Sequence, residues 1–174
     1  MKLAGEDIRI APAGPGEIEA VRALFLAYAN SLGFSLCFQG FDRELADLPG
    51  CYAEPRGTLL LARLGDGGGV GCAALRPLEG GEAEMKRLYV EPRARGRGLG
   101  RRLALATIEA ARARGYRRLL LDTLERMVEA RALYAGLGFA EIPAYHDQTL
   151  PEMRFYALDL KPASPVAAAG QTRY

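Results

Sequence analysis

Tyr89-Val90-Glu91-Pro92-Arg93-Ala94-Arg95-Gly96-Arg97-Gly98-Leu99-Gly100-Arg101-Arg102 is the stretch on which the reading of this chain turns. Upstream of it, Glu84 to Val90 reads as a strand that Glu91-Pro92 closes. Downstream, Leu99, Leu103, Ala106 and Ala110 recur at helical spacing until Gly115 ends the run, which predicts a helix over Leu99 to Arg114 with a glycine C-cap. A glycine-rich loop therefore joins a strand to a helix N-terminus. The first amides of a helix have no intrahelical acceptor, and glycines let them close on an anion. The pattern predicts a backbone anion site with arginines at its rim.

Working outward, Tyr116 to Leu121 reads as a buried-type strand, Met127 to Leu137 as a helix stopped by Gly138, and Phe139 to Ile142 and Met153 to Leu160 as two closing strands. Toward the N-terminus, Ile8 to Ile10 is a short strand. Glu17 to Leu32 is a helix ended by Gly33, and Asp42 to Leu48 a short helix stopped by Pro49-Gly50. Thr58 to Ala62 and Val70 to Leu75 form a hairpin across the Gly65–Gly69 turn. Strands first, then strand–helix–strand–helix–strand, predict an α/β (α+β) fold. Its mixed central sheet has about six to seven strands, about four flanking helices and one parallel crossover.

The chain has 174 residues, the size of one domain. Residues 1–160 are read as that domain, and 161–174, rich in alanine and proline, as a flexible tail. Lysine and arginine total 23, of which three are lysines (Lys2, Lys86, Lys161), and the net charge is +2. From Gly81 to Arg118, eleven basic residues face four acidic ones, a net of +7, so the rest of the chain is −5. That asymmetry predicts a local anionic ligand. No apolar run approaches the ~18–20 residues of a membrane span, and the N-terminus lacks a signal-peptide core. Cys37, Cys51 and Cys72 lie far apart without a C-x-x-C pair, which argues against disulfides and structural zinc, and the single histidine, His146, argues against a histidine-rich metal site. A soluble, cytoplasmic protein without a metal is expected.

No G-K-[ST] follows the glycines, so the loop is not a P-loop. A dinucleotide-binding turn would place Asp122 at its ribose, but needs Gly or Ala where Arg101 stands. The spacing Arg95-x-x-Gly98-x-Gly100 after a strand instead resembles the acyl-CoA signature of the GNAT superfamily of N-acetyltransferases. Ala130-Arg131-Ala132-Leu133-Tyr134-Ala135-Gly136-Leu137-Gly138-Phe139 resembles that family's later helix and the strand start after it. The firm part of the likeness runs from about Glu82 to Phe139.

The resemblance implies acetyl-CoA as cosubstrate. Its pyrophosphate would be wrapped by Arg95, Gly96, Arg97, Gly98, Leu99, Gly100 and Arg101. Its pantetheine would pair with Leu88, Tyr89 and Val90 where a bulged strand splays from its parallel neighbour, a form of strand addition. It implies Tyr134 as proton donor to the thiolate and the Leu88 amide as the group polarising the carbonyl. Glu84 matches the family's general-base position. Strand alternation puts it on one face with Glu82, Lys86 and Leu88, with Glu82 as the weaker substitute and a Glu84–Lys86 surface pair as the competing reading. An asparagine of many relatives is replaced by Met127. Tyr28, Phe34, Phe38 and Tyr145 are expected to include acceptor contacts, and His146 is read as a loop histidine. The reaction expected is direct attack by a primary amine of a small molecule or peptide. The alternative is a catalytically weak acyl-CoA sensor, and a homodimer is the possible assembly. Aromatics do not interleave with the arginines, so no nucleic acid is expected as partner.

Overall fold

The computed structural model describes residues 7–36, 40–65 and 67–161. Phe38 and the tail beyond Lys161 lie outside the described residues. Among those described, seven strands form one mixed sheet: β1 (Arg9–Pro12), β2 (Thr58–Arg63), β3 (Gly69–Pro77), β4 (Glu82–Val90), β5 (Arg118–Leu124), β6 (Ala140–Ile142) and β7 (Met153–Asp159). Their order is β1-β2-β3-β4-β5-β7-β6, and β4–β5 is the parallel pair. Helices α1 (Ile18–Ser31) and α2 (Phe41–Asp47) accompany the first half of the chain, α3 (Leu99–Ala113) and α4 (Val128–Gly136) the second.

The two sheet faces carry separate cores. Val21, Leu24 and Phe25 of α1 and Phe41 of α2 pack with Leu59, Leu61, Cys72 and Ala74. Ala104, Ile108 and Ala111 of α3 and Tyr134 of α4 pack with Leu75, Met85, Leu119 and Leu121. The buried stripe of α3 is Leu99, Leu103, Ala104, Thr107, Ile108 and Ala111, rotated from the one expected; Ala106 and Ala110 sit at its margin. Thr107 reads as polar in sequence, but its hydroxyl donates to the Leu103 carbonyl at 2.8 Å and can be buried.

Strand β5 runs three residues past its expected end, because β7 pairs with it along its whole length. The carboxylate of Asp122, which interrupts the apolar run, is compensated by partners described below.

What shapes the site is the parting of the parallel strands. β4 and β5 pair only where Glu82–Glu84 face Arg118–Leu120. β4 itself stays on β3 as far as Gly71↔Val90, but the register shifts between Cys72 and Ala74, so Arg87 and Leu88 together oppose Ala73. This bulge holds Arg87 at φ 58, a left-handed conformation costing ~1–2 kcal/mol for a residue with a Cβ. Arg87 is tied down in compensation. Its Nε and Nη2 donate to Glu44 Oε1 and Oε2 at 3.0 and 2.6 Å, and its guanidinium lies 5.1 Å from the Phe41 ring centroid. Tyr52 also donates to Glu44 Oε1, at 2.6 Å.

The bulge corrects one expectation. Beyond it the facing parity of β4 inverts: Leu88 packs with Met85 on the α3 face, whereas Glu84 and Lys86 face the other way. A single inserted residue does this because side chains alternate with period two.

Candidate active site

Three neighbouring spaces follow the parted strands. The first is a cleft of about 660 Å³ on the α3 and α4 side. Its rim comprises Leu88, Tyr89 and Val90 from β4, Arg95, Gly96, Gly98, Leu99 and Gly100 from the loop, and Met127, Ala130 and Leu133 from α4 and its entry. Gly96 and Gly98 hold φ 76 and 69, and a Cβ built on either meets nothing within 4 Å. Their side of the loop is open, and the conformation favours glycine. Gly98 is the N-cap of α3 and offers no side-chain cap, so the first helix amides stay available; the first helical hydrogen bond is Arg102 N–H to the Gly98 carbonyl. A cleft bordered by free amides, an open strand edge and arginines fits a long phosphorylated thioester. Arg97 and Arg101 do not line the cleft. Arg95 folds back, donating from Nε to the Val90 carbonyl at 2.9 Å over the Tyr89 ring.

Many of the basic residues counted in the sequence are spent elsewhere. Arg112 pairs with Glu109, Arg114 with Glu54 at 2.6 Å, and Arg118 with Glu82 at 2.9 Å. Pairing follows because each meets a carboxylate from another turn or another element.

The second space is the narrow gap between β4 and β5, bordered by Leu88, Lys86, Asp122, Thr123, Tyr28 and Tyr134 among others. Tyr134 comes from α4 and packs against Phe139 and Tyr156. Burial, and then the charges of Tyr28 and Asp122, raise its phenol well above the ordinary value, so it carries its proton at neutral pH. Tyr28 lines both cleft and gap.

The third space is a cavity of about 320 Å³ on the opposite face, under the loop that joins β6 to β7. Arg76, Glu79, Glu82, Glu84, Lys86, Tyr145, His146 and Gln148 border it. Glu84 is only 1% exposed, and its Oε1 takes hydrogen bonds or ion pairs from Arg76 Nη2 at 3.0 Å and Lys86 Nζ at 3.1 Å. The expected surface pair of Glu84 and Lys86 is therefore a buried one. Lys86 also lies 3.8 Å from Asp122 Oδ2, bridging cavity and gap. His146 Nε2 stands 2.8 Å from the same Oδ2. Burial alone would push the Asp122 carboxyl up. The hydrogen bond from His146 and the charges of Lys86, His146 and Arg87 outweigh it and hold the group below its ordinary value. Burial raises the Tyr145 phenol, and the Glu84 and Asp122 charges raise it further, although its hydroxyl makes no hydrogen bond of normal geometry among the described residues.

The structure thus groups Leu88 and Tyr134 at the gap and puts Glu84 in the cavity behind it. Phe34 borders a fourth, smaller space that shares Tyr28, Arg87, Asp122 and Thr123 with the gap. Sequence reading missed the Asp122–His146 pair, the bridging lysine and the Arg87 tie. Tyr145-His146-Asp147 drew notice, but no local spacing joins His146 to a carboxylate 24 residues away on another element.

Among the described residues no helix is long and apolar enough to cross a membrane. Residues 23–139 match the family described as Acetyltransferase (GNAT) family. An uncharacterized N-acetyltransferase of Schizosaccharomyces pombe is 35% identical over 147 residues, 84% of this chain and 90% of that protein. N-acetylaspartate synthetase of Danio rerio is 31% identical over 72% of this chain, which spans 45% of that protein. A crystal structure of a GNAT-family acetyltransferase from Staphylococcus aureus superposes with a TM-score of 0.75 at 21% identity, covering 89% of this chain and 100% of the other, a likeness of fold.

Proposed function

The chain belongs to the GNAT acetyltransferase family and is an acyltransferase, and from that premise we propose that it transfers acetyl from acetyl-CoA to the primary amine of a small molecule by direct attack. The observation that carries this reading is the order of glycine cleft, strand gap and polar cavity along the parted strands, cleft and gap sharing Tyr28 and Leu88, and gap and cavity sharing Lys86. Cosubstrate and acceptor would meet in the gap from opposite faces.

Acetyl-CoA, when bound, supplies a thioester carbonyl activated toward nucleophiles. The backbone amides from Arg95 to Arg101 take its phosphates, and the β4 edge from Leu88 to the Val90 N–H, beyond its last pairing with β5, is offered to its pantetheine. The Leu88 N–H donates to the carbonyl oxygen as negative charge grows there. Tyr134, protonated at neutral pH, gives its proton to the departing sulfur. Glu84 was the base nominated by sequence. With Oε1 committed to two cations, it offers Oε2 to the incoming ammonium, as an anchor more than as a base.

The cavity's size favours a small acceptor over a peptide chain, and the Danio rerio relative is itself named for an amino-acid product. We read the protein as cytoplasmic and free to form homodimers. Thiol release from acetyl-CoA across an amine library tests the reading. Amine-dependent release is expected. Cofactor binding without release from any amine would leave the sensor, for which Met127 in place of asparagine is the motivating feature.

A further inference from the structure

Direct attack needs an amine with a lone pair, and an alkylamine of pKa ~10.4 is free in only about one part in 2500 at pH 7. A group beside the gap must therefore receive a proton. Glu84 is a poor candidate, because its Oε1 is already held by Arg76 and Lys86. Asp122 is poorer, being held below its ordinary value.

His146 is differently placed. A carboxylate has only acceptors, so the 2.8 Å contact makes Nε2 the donor to Asp122 Oδ2. In the neutral ring the lone pair then sits on Nδ1. That nitrogen is buried, and it has no hydrogen-bond partner among the described residues. Three further buried atoms on residues bordering the same cavity make no hydrogen bond of normal geometry among the described residues: Glu84 Oε2, Arg76 Nε and the Tyr145 hydroxyl. Buried polar atoms are normally paired, so four such atoms around one cavity point to a polar ligand there. The ring is fixed edge-on against Tyr145 and Phe155, with centroids at 5.0 and 5.2 Å.

We propose, building on the acetyl-transfer reading, that this cavity seats the acceptor amine and that His146 Nδ1 accepts its proton, with Asp122 as the positioning residue that fixes the tautomer. The charged and titratable groups around His146 and its cavity are Asp122 of β5, Glu82, Glu84 and Lys86 of β4, Arg76 of β3, Glu79 ahead of β4 and the Tyr145 phenol: four carboxylates, of which Glu82 also pairs with Arg118, and two cations. The ammonium passes one proton to Nδ1, and the imidazolium later returns it to water. The neutral amine forms the C–N bond as the C–S bond breaks. Tyr134 protonates sulfur and recovers the second amine proton as the amide forms.

His146 is the chain's single histidine, so its ring nitrogens are read directly by ¹⁵N NMR in untagged protein. The neutral ring is expected as the Nε2–H tautomer. A ring protonated on Nδ1 throughout pH 7 to 8 would overturn the proposal. The second arm is thiol release at pH 7 with methylamine, an ammonium there, and with hydroxylamine, already neutral. His146→Gln is expected to lose ~100-fold or more with methylamine, as general bases contribute ~10²–10⁴-fold, and to stay within about threefold with hydroxylamine. The methylamine rate of the variant should climb about tenfold per pH unit as free amine appears. Asp122→Asn should lose selectively in the same sense, by a smaller factor. Equal losses with both amines would mean a structural role and overturn the assignment alone. A wild type that binds acetyl-CoA yet releases no thiol with these two amines or any other of the library would overturn the acetyl-transfer reading beneath it.

Discussion

On the α3 face the candidate site is made of backbone: positive-φ glycines, free helix amides and a strand edge, open to solvent. On the α1 face it is made of side chains, Glu84 and Lys86 buried and Arg76, Asp122 and His146 half-buried, joined across three strands and a loop. On the proposed reading, the first meets groups common to every user of the same cosubstrate, which a backbone can do, and the second meets one acceptor, which calls for side chains. Nor do the faces differ only in ligand. Backbone sites tolerate varied side chains, whereas a buried charge network fails when one partner leaves, since the other stays desolvated.

The sharpest test of that difference is Glu44→Ala. It strands Arg87, whose side chain is 3% exposed, on the bulge that parts the strands. Losing a buried pair's partner costs ~3–5 kcal/mol, and at ~2–4 °C per kcal/mol for a chain of this size Tm should fall by roughly 6–20 °C. Thermal melts of Glu44→Ala, Arg87→Ala and the double variant give the coupling. Additive losses would show that the pair does not hold the bulge.

Gly98→Glu attacks the other face. The Cβ has room, so the change strains one φ and puts a carboxylate where phosphates are to bind. Acetyl-CoA at a hundredfold over Kd should stabilise the wild type by ~2.7 kcal/mol, some 5–10 °C, and leave this variant unshifted. A full shift in Gly98→Glu would remove the loop from the cosubstrate site.

These two variants also mark what could be read in the sequence. The loop was legible because its meaning is local: glycines, a strand before, a helix after. Most element bounds were legible for the same reason, through period and punctuation. Leu88 was placed on the wrong face because a bulge adds one residue without altering composition. Asp122 was taken to close a strand, because the lysine and histidine that compensate its charge come from distant segments. His146 was read as a loop histidine, because its partner is a carboxylate on another element, 24 residues away.

Tyr134→Phe tests the junction of the two faces and should be milder. The ring keeps its contacts with Phe139 and Tyr156, so stability and the acetyl-CoA shift should hold. Turnover should fall ~10–100-fold, the lower part of the range for a proton donor. A variant at the wild-type rate would give the thiolate its proton from elsewhere.

The smallest effect belongs to a charge pair in neither face, and it sets the scale for the buried ones. Glu17 accepts from Arg63 and from the Gly14 amide, both at or below 2.8 Å, and these bonds hold its carboxyl down to about 2. Its folded pKa is depressed, so its contribution is present above the unfolded value of 4.5 and is lost as pH falls from there toward 2. The side chain is 35% exposed, and solvent screening should keep the pair within ~1 kcal/mol. Denaturant melts of Glu17→Gln should therefore trail the wild type slightly at pH 7 and converge with it near pH 2. The same titration on Glu44→Ala should open a much wider gap at pH 7. If the two gaps were equal, burial would not be what separates the side-chain face from an ordinary surface pair.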